Sequence, residues 1–199
     1  MADKLDEKLR PNAWMLRGVA EWRSGRYTKA DSSAEKGWAE IKRQEPKAPN
    51  LANSRDGIVL KILPGLVQDS KLRDRLRPLG TNRLANADYQ TNFRQQFMAV
   101  VTQFSEAKGN FGAPTPNAVK YYWNYQAWRT LQNWRFTLGK LPAGEATTRL
   151  AFDEAHTSSA SLFSNVAGAT NLSTSINAAK DAIPADHPYR RLIEYEEKQ

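Results

Sequence analysis

Residues 120–136 read KYYWNYQAWRTLQNWRF: seven of the 17 are aromatic, three are cations and none is a carboxylate. With no proline or glycine inside, the stretch reads as a helix that Asn117 caps and Gly139 ends. On a wheel of about 100° per residue, Tyr121, Tyr125, Trp128 and Phe136 lie within about 60° of one direction. Trp123, Ala127 and Trp134 gather near 200–240°, almost opposite. A surface helix needs only one apolar stripe. This one has two, so both of its sides must be covered, by the rest of the domain, by another copy or by a nucleic acid.

The remaining pattern is also helical. Phe93, Phe97, Val100, Val101 and Phe104 form a single stripe on a helix from about Asp88 to Lys108, with Gly109 as its stop. Together with the aromatic helix it makes a candidate antiparallel pair. Helices are also expected over 3–9, from an Asn12 cap to Arg23, from a Ser32/Glu35 capping box to Glu45, and over 69–77. Three more should cover Thr147–Val166, 173–183 capped by Ser173, and 188–198 capped by Asp186. Residues 58–63, IVLKIL, fit either a strand or a buried helix, and Pro64-Gly65 should end them. The fold class is all-α: a helical bundle with a small β element at most. The loop EPKAPNLANSRDG separates a basic N-terminal arm, 1–50, from a body, 51–199, with an acidic end. The arm shows few apolar anchors per turn, which suits a segment that folds only against a partner.

Several function classes lose support. The chain has no cysteine and only two histidines, His156 and His187, in no metal-binding spacing. Phosphate-binding glycine loops and nucleophile turns are missing, so no enzyme, metal or cofactor is expected. No apolar run reaches the roughly 20 residues of a membrane span.

Charge is the positive signal. Residues 1–140 hold 24 Lys/Arg against 13 Asp/Glu, whereas 141–199 hold 5 against 8. Such one-sided stretches suit an anionic partner. In RPNAWMLRGVAEWRSGRYTK, Arg10, Arg17, Arg23, Arg26 and Lys29 interleave with Trp14, Trp22 and Tyr27. Cations of this kind can neutralise phosphates and release counterions. Arg73, Arg77 and Arg83, and Lys120, Arg129 and Arg135 on the aromatic helix, complete the candidate contacts. Trp14, Trp22, Trp123 and Trp134 are candidates for a subunit interface. The bland alternative has every indole in a private core, with the arginines reaching for water.

The NAWMLRGVAEWRSGRY arm, followed by NFRQQFMAVVTQFSEA and NAVKYYWNYQAWRTLQNWRF, resembles coat proteins of filamentous or rod-shaped helical viruses. Closest are those of archaeal filamentous viruses with double-stranded DNA. The likeness lies in architecture and covers about half the chain. It implies an arm wrapping DNA, polymerisation into a helical nucleocapsid without base readout, and residence in the virion, with host cytoplasm as the place of assembly. A second coat subunit is compatible with it, and single-stranded RNA stays open as the polymer. Glu194, Glu196 and Glu197 would then meet a basic surface of the next copy. The competing reading is a helical adaptor that binds an acidic protein and no nucleic acid.

Overall fold

The computed structural model describes residues 5–76, 94–112, 115–139, 144 and 146–199. Among these are eight α-helices and no strand: α1 Arg10–Arg23, α2 Tyr27–Gln44, α3 Arg55–Leu76, α4 Arg94–Gly109, α5 Asn117–Leu138, α6 Ala146–Leu162, α7 Leu172–Asp181 and α8 Pro188–Glu196. Residues 3 and 4, Arg77, Arg83 and the stretch from Asp88 to Phe93 lie outside the described residues, and so do the side chains of Arg73 and Phe97. Only a short 3-10 turn, Glu7–Leu9, stands where a first helix was expected.

The first three helices pack as an up-down-up unit. Pro11 sits in the first turn of α1, where its missing N–H costs nothing. Gly25, at φ 73°, makes the turn into α2, which begins at Tyr27 rather than at the Ser32 cap. Glycines and alanines bring the helices close. A Cβ on Gly37 would stand 2.5 Å from a Leu60 methyl and 2.9 Å from Trp14 Cβ. One on Gly18 would stand 2.6 Å from a Leu63 methyl. The N-terminal stretch is therefore not an extended arm. It docks on α3 through Met15, Ala30, Ala34 and Ile41, all buried. The small residues that made it look poor in anchors are the ones that let the backbones approach.

The ambiguous IVLKIL is helix. Ile58, Val59, Leu60, Ile62 and Leu63 are all buried, because α3 is covered on several sides. Leu60 and Leu63 face α1 and α2, while Ile62 and Leu66 join the cluster of α4 and α5. The helix also runs through Pro64, where a stop was expected. A proline inside a helix costs about 3 kcal/mol. Five buried aliphatic side chains at about 1.5–3 kcal/mol each outweigh that. Just beyond it, Gly65 lets α4 lie against α3, with Gln103 and Val100 beside it and the Lys61–Glu106 ion pair a turn away. The main partner of α4 is thus antiparallel α3, rather than α5.

The aromatic helix α5 is the hub, bordered by α3, α6, α7 and α8. On one side Trp123 meets the rings of Phe104, Phe111 and Phe163 at 5.7–5.9 Å between centroids. Its indole N–H donates to the Phe104 carbonyl at 3.1 Å. On the other, Tyr125 stacks on Tyr189 at 5.0 Å and Tyr121 meets His187. Two stripes were expected and two are found, and the chain itself covers both except at Phe136, which is 67% exposed. Both histidines are occupied in caps. Leu172 N–H donates to His156 Nδ1 at 2.9 Å, and Tyr189 N–H to His187 Nδ1 at 3.2 Å. His187 thereby takes the place expected for Asp186 on α8, and an Asn171/Thr174 box caps α7 instead of Ser173.

Candidate nucleic-acid interface

Packing of α1 and α2 on α3 decides which residues face water. Arg10 and Arg17 of α1 are seven residues apart, as are Lys29, Lys36 and Arg43 of α2. Seven residues are close to two turns, so each set lies in a row with a rise of about 10.5 Å per step. All but the half-buried Arg10 are exposed. The antiparallel hairpin sets the two rows side by side. Trp14 lies beneath them, 4% exposed, with Arg17 and Lys36 at 5.3 and 5.2 Å from its ring centre. Each such contact contributes about 0.5–1 kcal/mol when exposed. The indole steadies the cations instead of meeting a partner itself.

Acids on this face answer part of its charge, because three of the five cations, Arg10, Arg17 and Arg43, pair with Glu7, Glu21 or Glu40. Glu21 is buried, taking hydrogen bonds from Ser33 Oγ at 2.6 Å and Arg17 Nε at 2.9 Å. Burial works to raise its pKa, but those two donors together with the charges of Arg17 and Arg26 outweigh it and hold the carboxyl below its ordinary value. The Arg43 guanidinium, 2.7 Å away, depresses Glu40 likewise. Arg43 also reaches Glu7 at 2.7 Å, and Arg10 lies 3.9 Å from Glu40. Lys29 and Lys36 have no ion pair with any described carboxylate, while Glu35 is exposed beside Lys36.

Of the eleven cations expected to touch phosphate, the eight whose side chains are described do not converge. Arg10, Arg17 and Lys29 share this face. Arg26 sits at the α1–α2 turn, with its Nε donating to Ser24 Oγ at 2.9 Å. Arg23 and Arg129 border a cleft between α1 and α5. Lys120 is half-buried near the start of α5, and Arg135 is exposed at its end. Lys36 and Arg43 were overlooked in the sequence, where their spacing of seven from Lys29 was the available signal.

The tryptophans part company with the interface reading. Trp123 and Trp134 are 1% and 2% exposed, inside the main core, and Trp14 is buried under its cations. A ring already enclosed by its own chain has no area left to bury against a sister copy. Of the four candidates only Trp22 is half-buried, with its indole N–H donating to Ser70 Oγ at 2.9 Å. The acidic end is engaged as well. Glu196 accepts from Tyr125 Oη at 2.8 Å, Glu197 pairs with Lys180, and Glu194 lies 3.5 Å from Arg190. Among the described residues, no three His, Asp or Glu groups cluster for a metal, and no helix is long and apolar enough to cross a membrane. Comparison with protein-family models, curated proteins and solved structures finds no match to this chain.

Proposed function

We propose that the protein coats nucleic acid without reading its sequence, laying the α1–α2 face along a phosphate backbone. The observation that carries this is the double row of cations, Arg10 and Arg17 beside Lys29, Lys36 and Arg43, raised on a rigid helical hairpin. Evenly repeated charge suits a repeating polyanion better than a single small anion. Affinity would come from released counterions, and backbone contacts of this kind fix position without specifying bases. On this reading the protein is a subunit of a helical nucleocapsid, with duplex DNA as the favoured polymer. It resides in the virion and passes through the host cytoplasm during assembly. Copies would meet through the exposed Leu192 and Tyr195 of α8, not through the enclosed tryptophans.

The test is the salt dependence of binding to a mixed-sequence DNA duplex, followed by fluorescence anisotropy. Lys29→Ala/Lys36→Ala removes two cations that carry no ion pair with a described carboxylate, so the fold should survive. The slope of log K against log salt should fall by about 2, near 0.9 for each phosphate that is no longer neutralised. An unchanged slope would sink the assignment. The adaptor reading draws on a different observation: with the core rings enclosed, the fold needs no sister copy. It predicts protein that purifies free of nucleic acid and stays monomeric at high concentration. Nucleic acid that copurifies and is shed by high salt favours the coating function.

A further inference from the structure

Behind the cationic rows, on the other side of α1, lie two adjoining cavities of about 410 and 470 Å³. Each has the size of a small-molecule site, for which about 300–1,000 Å³ is usual. Arg23, Tyr122 and Tyr189 line both. The smaller adds Trp22, Tyr125 and Arg129. Residues far apart in the chain thus bring flat rings and guanidinium groups to one place. The rings are held in position. Trp22 is fixed through Ser70, and Tyr125 is stacked on Tyr189 with 8° between the ring planes.

The charge in the cleft is positive. Arg129 has Glu196 at 3.5 Å, which answers part of its charge. Arg23 is exposed and makes no ion pair with any described carboxylate. The phenols add no negative charge near neutral pH. Burial pushes Tyr122 up to about 12, helped by Tyr189 and opposed by Arg23, Gln126 and Arg129. Burial also raises Tyr125 to about 12 and moves Tyr189 in the same direction.

We propose that this cleft binds one unstacked nucleotide, with its base against Trp22 and Tyr189 and its phosphate on Arg23, supported by Arg129. Base–aromatic stacking tolerates any base, and a guanidinium fork suits phosphate oxygens. The site lies apart from the α1–α2 face and does not depend on it. The nucleotide can come from a single strand or from free solution, since the chemistry is shared.

Titration calorimetry of the full chain with adenosine monophosphate tests this, with adenosine and inorganic phosphate as partial probes and a 5′-phosphorylated oligothymidylate as the strand. The monophosphate should bind saturably and at least tenfold more tightly than either partial probe. Arg23→Ala should weaken it at least tenfold with an unchanged melting temperature, whereas Lys29→Ala/Lys36→Ala should leave it alone. An oligonucleotide tighter than the monophosphate, with that gain lost in Arg23→Ala and kept in Lys29→Ala/Lys36→Ala, identifies a strand as the source, and equal or weaker binding a free nucleotide. No saturable binding, equal binding by Arg23→Ala, or phosphate alone binding as well as the nucleotide would overturn the proposal. The salt slope on duplex is a separate readout, so failure here and failure of the coating function are told apart.

Discussion

Replacing Gly37 by alanine distinguishes a docked N-terminal unit from a free arm, because the sign of the effect differs. In an exposed helix the change adds about 1 kcal/mol of stability through helix propensity. In α2 the new methyl would stand 2.5 and 2.8 Å from the two methyls of Leu60 and 2.9 Å from Trp14 Cβ. Carbon atoms sit comfortably at about 3.5–4.0 Å, so something must retreat by about 1 Å. Leu60 is 1% exposed and has nowhere to swing. The Cβ of Trp14 moves only if α1 itself moves. Overpacking of this kind costs about 1–3 kcal/mol, and the collision with α1 puts this case toward the upper end. After the propensity gain, a net loss of about 1–2 kcal/mol remains. Urea unfolding followed by circular dichroism reads it as a lower midpoint with an unchanged m-value. A midpoint that stays put or rises would mean that α2 does not rest on α3, and the geometry of the cationic face would fall with it.

Glu21→Ala strands the buried Ser33 hydroxyl and leaves Arg17 unpaired, at a cost of about 2–3 kcal/mol by chemical denaturation. Loss under about 0.5 kcal/mol would show that the network carries little. The same carboxyl, with Glu40, sets the acid limb of stability. Their folded pKa values lie below the ordinary 4.5, so their contribution is complete above that value and drains away as pH falls through the folded ones. Melting temperatures should therefore drop below about pH 4, and less steeply in Glu21→Gln; a wild-type profile flat to about pH 2.5 contradicts this. Trp134→Ala should cost about 3–5 kcal/mol, as a core residue does. A variant that melts normally but changes particle size would return Trp134 to an interface.

The parts of the fold that could be read in advance are those fixed by local pattern. The two stripes of α5 follow from spacing alone, and so do the ends of most helices, where a glycine such as Gly139 or Gly109 closes a periodic run. What covers a stripe is a long-range fact. Phe104 and Phe163 close over Trp123 from 19 and 40 positions away, and no wheel contains them. The N-terminal unit misled for a related reason. Large apolar side chains advertise a core, whereas Gly18, Ala30 and Gly37 advertise nothing until a neighbour is seen against them. At Pro64 a local rule lost to burial on several sides of the helix. The site divides in the same way. Arg10, Arg17 and Lys29 stood out in one basic segment. The meeting of Arg23 with Arg129 takes residues 106 positions apart, and only the packing of α5 and α8 beside α1 brings it about.

Enclosing the tryptophans has a consequence for assembly. Interfaces between proteins draw much of their energy from a few large rings, tryptophan above all. Here Trp14, Trp123, Trp128 and Trp134 are each under 5% exposed, so that source is reduced to the half-buried Trp22 and Trp38. The exposed apolar residues of α8, Leu192 and Tyr195, are a poor substitute in area. Each copy also carries a formal charge of +8, which opposes close approach of copies. Under the proposed function a polyanion changes both terms together. It neutralises the rows on α1 and α2, and it holds neighbours at a high local concentration, where weak contacts suffice. The energy of coating would then rest mainly between protein and phosphate, and self-association would follow the polymer rather than precede it.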